Sequence, residues 1–171
     1  MTTTMRTLPH DPYIEAICEA LDKAGPEVKD SRTDDCETRG TYCHLNAVIE
    51  LDMLTIGLQD ERHNLLLIWE WHTGIEAEHG EPERGPVWKF AELKDDGSNE
   101  YPTDLPVLGY ASPDAIVEAV RKVIAREIEP GSYFNGGQWR GWDGGIIGDT
   151  WERHAELDAA CEAWGTEEAA E

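Results

Sequence analysis

Leu65-Leu66-Leu67-Ile68-Trp69-Glu70-Trp71 is the stretch on which the fold turns. It is the most hydrophobic segment of the chain, too short for an ordinary buried helix and rich in the branched and aromatic types of a central strand. Asp60-Glu61-Arg62-His63-Asn64 precedes it as a polar turn. Before that turn, Leu54, Ile56 and Leu58 alternate with Thr55, Gly57 and Gln59, the period-two mark of a half-buried strand. The two runs predict an antiparallel hairpin spanning Leu58 to Trp71. Tyr42 to Leu51 adds a β-rich stretch upstream. Val87 to Leu93 adds another downstream, with Val87, Lys89 and Ala91 on one face and Trp88, Phe90 and Glu92 on the other.

Helices flank this strand-rich middle. Asp11-Pro12 places a capping acid before a first-turn proline, Gly25-Pro26 closes the run, and Ile14, Ile17, Cys18 and Leu21 form its apolar stripe. Ser112-Pro113-Asp114 opens a second helix in the same way, with Ile116, Val117, Val120, Val123 and Ile124 as its stripe and Pro130-Gly131 as its end. Between the first helix and the strands, Asp30 to Gly40 is polar and charged and reads as an exposed loop. Glu76 to Pro86, with two glycines and two prolines, reads as another.

Helix, several antiparallel strands, then helix implies an α+β two-layer sandwich: an antiparallel sheet of three to five strands with the helices on one face. Residues 1–130 form this core in our reading, and 131–171 a distinct segment. Gly131 to Asp149 holds seven glycines with Trp139 and Trp142, and Thr150 to Glu171 reads as an acidic, alanine-rich helix with a frayed end.

Composition narrows the function. Against 14 Lys and Arg stand 36 Asp and Glu, a net charge of −22, which opposes direct contact with nucleic acid or an anionic membrane because phosphate binding needs cations. No segment approaches the roughly 20 apolar residues of a membrane helix. Met1 to His10 lacks the apolar run of a signal peptide, so the expected compartment is the cytoplasm, with the four cysteines reduced. The surplus is spread: nine acids to three bases over residues 27–61, nine to three over 76–104, and eight to one over 149–171. Contact with a basic partner is therefore expected at the loops 30–40 and 76–86 and at the C-terminal helix, through Asp34, Asp35, Glu37, Glu76, Glu78, Glu81 and Glu83. The plainer reading of the same residues is a solvated surface kept soluble by like charge.

Other residue sets carry weaker chemistry. Cys36, Cys43 and His44 have zinc-ligand types, but the cysteines stand seven positions apart where knuckle ligands stand two to four apart, and no second pair follows. Glu70, His72, Glu76, Glu78 and His79 could supply acid–base or metal chemistry if the fold made them converge. Trp139 and Trp142, with Arg140 between them, could stack on a partner, although large aromatics are chiefly packing residues. No phosphate loop, dinucleotide fingerprint, nucleophile elbow or zincin helix is present, and no cofactor is expected.

The opening Asp11-Pro12-Tyr13-Ile14-Glu15-Ala16, the Leu58 to Trp71 hairpin, and Ser112-Pro113-Asp114 with Val117-Glu118-Ala119-Val120 resemble small actinobacterial domain proteins associated with phage or integrative elements. The resemblance covers about residues 10 to 127. It implies an α+β fold and a mobile-element context, and brings no catalytic residues with it. Together these readings favour an acidic, non-enzymatic binding protein, such as a DNA-mimic inhibitor of a host nuclease or another basic nucleic-acid-binding protein. The alternatives are a metal-assisted hydrolase using the His and Glu cluster, and a tryptophan-mediated interaction module.

Overall fold

A computed structural model describes residues 8–24, 27–38, 42–52, 64–72, 84–93, 102–129 and 141–170; the side chains of 35–38, 42–44, 72, 84–85 and 165–170 lie outside that description. The architecture is α+β, with one antiparallel sheet and three helices among the described residues. The sheet runs in chain order: β1 Glu27–Thr38, β2 Tyr42–Asp52, β3 Leu65–His72, β4 Arg84–Glu92 and the short β5 Thr103–Asp104. Consecutive antiparallel strands laid side by side are the simplest way to pair a chain with itself.

Alternation along the central strands sorts the side chains. Leu45, Ala47, Ile49 and Leu51 of β2, Leu65, Leu67, Trp69 and Trp71 of β3, and Trp88 and Phe90 of β4 are buried, while their neighbours Asn46, Val48, Glu50, Leu66, Ile68, Glu70 and Lys89 are half-buried. Helix α1, Asp11–Ala24, buries Tyr13, Ile14, Ile17 and Leu21. Helix α2, Pro113–Ile124, starts at Ser112, whose hydroxyl accepts from the Ala115 amide at 3.1 Å. Helix α3 spans His154–Ala170.

Two sequence expectations need correction. Asp30 to Gly40 is not an exposed loop over its described part: residues 30–38 belong to β1, in register with β2 from Asp30 opposite Glu50 to Thr38 opposite Tyr42. At the edge of the sheet a strand lies beside one neighbour only, so it forms with few apolar residues, and its polar composition hid it. The partner of the Leu65 to Trp71 strand is Tyr42–Asp52, with Leu51 opposite Leu65, rather than the run at 54–58. That run and the turn at 60–63 lie outside the described residues.

The core is continuous from α1 to α3. Tyr13 meets Trp69 and Trp88 edge-on and Trp151 at a ring separation of 5.0 Å, while Trp71 meets Trp164 of α3 edge-on at 6.3 Å. Trp151, Leu157, Cys161 and Trp164 thus share one apolar cluster with the sheet. Gly148 lets the chain pass close to α2. Its φ is +71°, and a Cβ there would collide with the Ala115 side chain, so both conformation and space call for glycine.

Candidate functional site

Of the sequence-predicted contact residues, Asp34, Asp35, Glu37 and Trp142 fall within the described backbone. Asp34 is exposed on β1, opposite Asn46, and Asp35 and Glu37 follow it along the strand opposite Leu45 and Cys43. Successive strand residues alternate faces, so Asp34 lies on one side of the sheet and Asp35 and Glu37 on the other. Glu76, Glu78, His79, Glu81, Glu83 and Trp139 lie outside the described residues. Trp142 is half-buried against the core; its indole N–H donates to the Gly145 carbonyl at 2.8 Å, and Lys122 lies 5.7 Å from its ring centroid. One ring face and its donor are therefore engaged within the chain.

A different concavity emerges where α1 lies beside β1. A groove of about 560 Å³ is lined by Asp11, Glu15, Glu19 and Asp22 from the helix, and by Ser31, Arg32 and Thr33 from the strand, with Ile14 and Cys18 at its floor. Helical spacing explains the acidic wall: positions 15, 19 and 22 follow i, i+4, i+7, and so share a face, with Cβ atoms of neighbours about 5–6 Å apart. Arg32 is the one cation among the described residues that line it.

Those acids have two different jobs. Asp11 and Asp22 tie the helix to its surroundings. Asp11 accepts from the Leu8 amide at 2.7 Å and from the Thr33 hydroxyl, and Asp22 accepts from the Val28 amide at 2.8 Å. Both ends of the helix are thereby pinned to the edge strand or its lead-in. Glu15 and Glu19 are exposed and make no ion pair among the described residues. Cys18 sits half-buried between them; burial first, then the nearby Asp22 and Glu15 charges, push its thiol pKa up against a hydrogen bond with Ser31. A raised thiol pKa lowers the thiolate fraction on which nucleophilicity depends.

On the other side of α1, a second groove of about 590 Å³ runs between α1 and α2. Glu19, Asp114 and Glu118 face Lys23 and Arg121 there, so its charges balance more closely. The α1–β1 groove is the more one-sided of the two. The charge distribution along the sequence points to loops and to the C-terminal helix, whereas here a row on α1 and an edge strand make the wall together. The i, i+4, i+7 spacing of Glu15, Glu19 and Asp22 was the available signal.

Among the described residues, no group of three or more His, Cys, Asp or Glu side chains could hold a metal ion, and no helix is long and apolar enough to cross a membrane. The backbone register does bring some sequence candidates side by side: Cys36 opposite His44, Glu37 opposite Cys43, and His44 opposite His72. Fold and site define an α+β protein with an acidic groove along one sheet edge. Compared with known protein families, curated proteins and solved structures, the chain matches none.

Proposed function

We propose that this is an acidic, non-enzymatic binding protein that presents the α1–β1 edge to a basic surface, as a DNA-mimic inhibitor of a nuclease or another nucleic-acid-binding protein would. The observation that carries the reading is the carboxylate row Glu15, Glu19 and Asp22, beside a groove where Arg32 is the one cation among the described lining residues. Along the helix axis these charges rise about 6 Å and then about 4.5 Å. One DNA strand presents a phosphate about every 3.4 Å of axis, so the row reaches roughly two thirds of that density. Such a stripe attracts lysine- and arginine-lined grooves over several ångströms and loses that attraction as salt shortens the Debye length. A mobile-element setting, with a host nuclease as the partner, belongs to the same proposal.

Pull-down with the full chain at low salt tests it. The retained material should include a basic nucleic-acid-binding protein that duplex DNA displaces, and the double variant Glu15→Gln, Glu19→Gln should retain markedly less of it. Capture that is indifferent to DNA, to salt and to those two substitutions would sink the proposal.

A further inference from the structure

β2 lies along one side of β1, and no described strand lies along the other. At such an edge every second residue turns its N–H and C=O outward, where a further strand can take them. α1 packs on one face of β1 rather than along this edge. Ser31 and Thr33 stand opposite the buried Ile49 and Ala47; on that face the Thr33 hydroxyl donates to Asp11, and Ser31 bonds the Cys18 thiol. Asp22 takes the Val28 amide, and the register shifts between Val28 and Asp30, so the regular ladder open to another strand is 30–38.

A strand that pairs antiparallel with a copy of itself must set one residue opposite itself, because only those registers bring outward groups to outward groups. Charge then chooses among them, since like charges directly opposed are destabilising. Centring on Asp30 or Arg32 sets like charge against itself. Centring on Asp34, or on any of the next three residues, sets acid against acid. Centring on Ser31 leaves only 30–32 paired before the irregularity intervenes. Centring on Thr33 pairs 30–36 and sets Arg32 opposite Asp34 on both sides of the axis.

Arg32 and Asp34 are exposed, and neither makes an ion pair among the described residues. Within one copy they stand about 6.6 Å apart along the strand. Across the Thr33-centred pair they are directly opposed, with Cβ atoms about 5 Å apart. We propose that β1 is the interface with a second copy of this chain, paired antiparallel about a two-fold axis at Thr33, so that two five-stranded sheets join edge to edge. The inference stands apart from the basic-partner reading, and salt separates the two. Two chains of net charge −22 repel at long range, and adding salt from 0.01 M to 0.15 M shortens the Debye length from about 30 Å to about 8 Å, beyond which that repulsion fades. Pairing of two copies should therefore strengthen over this range, whereas capture of a basic surface should weaken.

Sedimentation of the tag-free full chain over a concentration series tests the inference. The mass should double as concentration rises, and more readily at 0.15 M than at 0.01 M salt, ionic strengths at which the Debye length is about 8 and about 30 Å. Arg32→Glu and Asp34→Arg each set like charges against each other on both sides of the axis, and each should weaken association about tenfold or more. An equimolar mixture of the two variants should associate again, because each altered residue then meets opposite charge. Hydrogen exchange gives a readout independent of charge: amides of 30–36 that stay fast in dilute protein should slow in concentrated protein. Circular dichroism controls for folding, and if either variant fails to fold, exchange in the unmodified protein decides. A chain that stays monomeric at every concentration overturns the proposal. So does a dimer indifferent to both substitutions, or one in which the 30–36 amides exchange no more slowly than in the monomer.

Discussion

Tyr13 is the residue through which the helices and the sheet are joined. It is fully buried, its hydroxyl donates to the Ala111 carbonyl at 2.6 Å, and it accepts from the Trp88 indole N–H at 3.0 Å. Burial pushes the phenol pKa up, so the hydroxyl stays neutral and keeps the proton that the Ala111 bond needs. Tyr13→Phe keeps the ring, its edge contacts with Trp69 and Trp88, and nearly all of the buried area. It removes only the oxygen, which strands an N–H and a C=O in the core. Leaving a buried polar group unsatisfied costs about 1–3 kcal/mol, so the urea midpoint of Tyr13→Phe should fall with an unchanged slope. A loss under about 0.5 kcal/mol would mean that water or a rearranged partner takes the oxygen's place.

At the scale of elements, legibility followed how each segment is specified. The helices were readable because Asp11-Pro12 and Ser112-Pro113-Asp114 are local signals, and α1 at Asp11–Ala24 and α2 at Pro113–Ile124 begin where those signals stand. Trp69 and Trp71 made β3 readable for a different reason: a strand buried on one face by large aromatics announces itself by composition. β1 had neither signal. Asp30, Asp34, Asp35 and Glu37 have low strand propensity, and only the register with β2 makes them a strand. The same register brings Cys36 and His44, eight positions apart in the chain, directly opposite each other in the sheet. The α1–β1 groove also depends on long-range packing that no window of sequence contains. Hydrogen exchange tests the edge strand directly. Alternate amides of residues 30–36 should exchange more slowly than those of a loop, because an edge strand bonds its single neighbour at every second residue. Uniformly fast exchange across residues 30–36 would return this segment to the loop that its composition suggests.

For the whole molecule, charge and burial act on stability through separable routes. The net charge of −22 repels itself in the compact state, and that repulsion weakens as added salt shortens the Debye length from about 10 Å at 0.1 M to about 3 Å at 1 M. The buried titratable groups respond differently. Burial first, and then the Asp158 charge, push the Cys161 thiol from 9.0 up to about 12, and burial raises the Tyr13 and Tyr110 phenols as well. Between those native values and the lower unfolded ones, the unfolded chain releases protons that the native state keeps. Unfolding then carries fewer bound protons, so stability is complete below about pH 9 and falls as pH rises from there. Urea unfolding at about pH 7, 9 and 10.5, each at low and high salt, separates the two contributions. The alkaline loss should persist at 1 M salt, because screening does not reach groups packed in the core, and Cys161→Ala should flatten its slope by up to about one proton. A stability that stays level across that range would show that these groups do not titrate differently on unfolding, and an alkaline loss that high salt removes entirely would assign the pH response to surface repulsion alone.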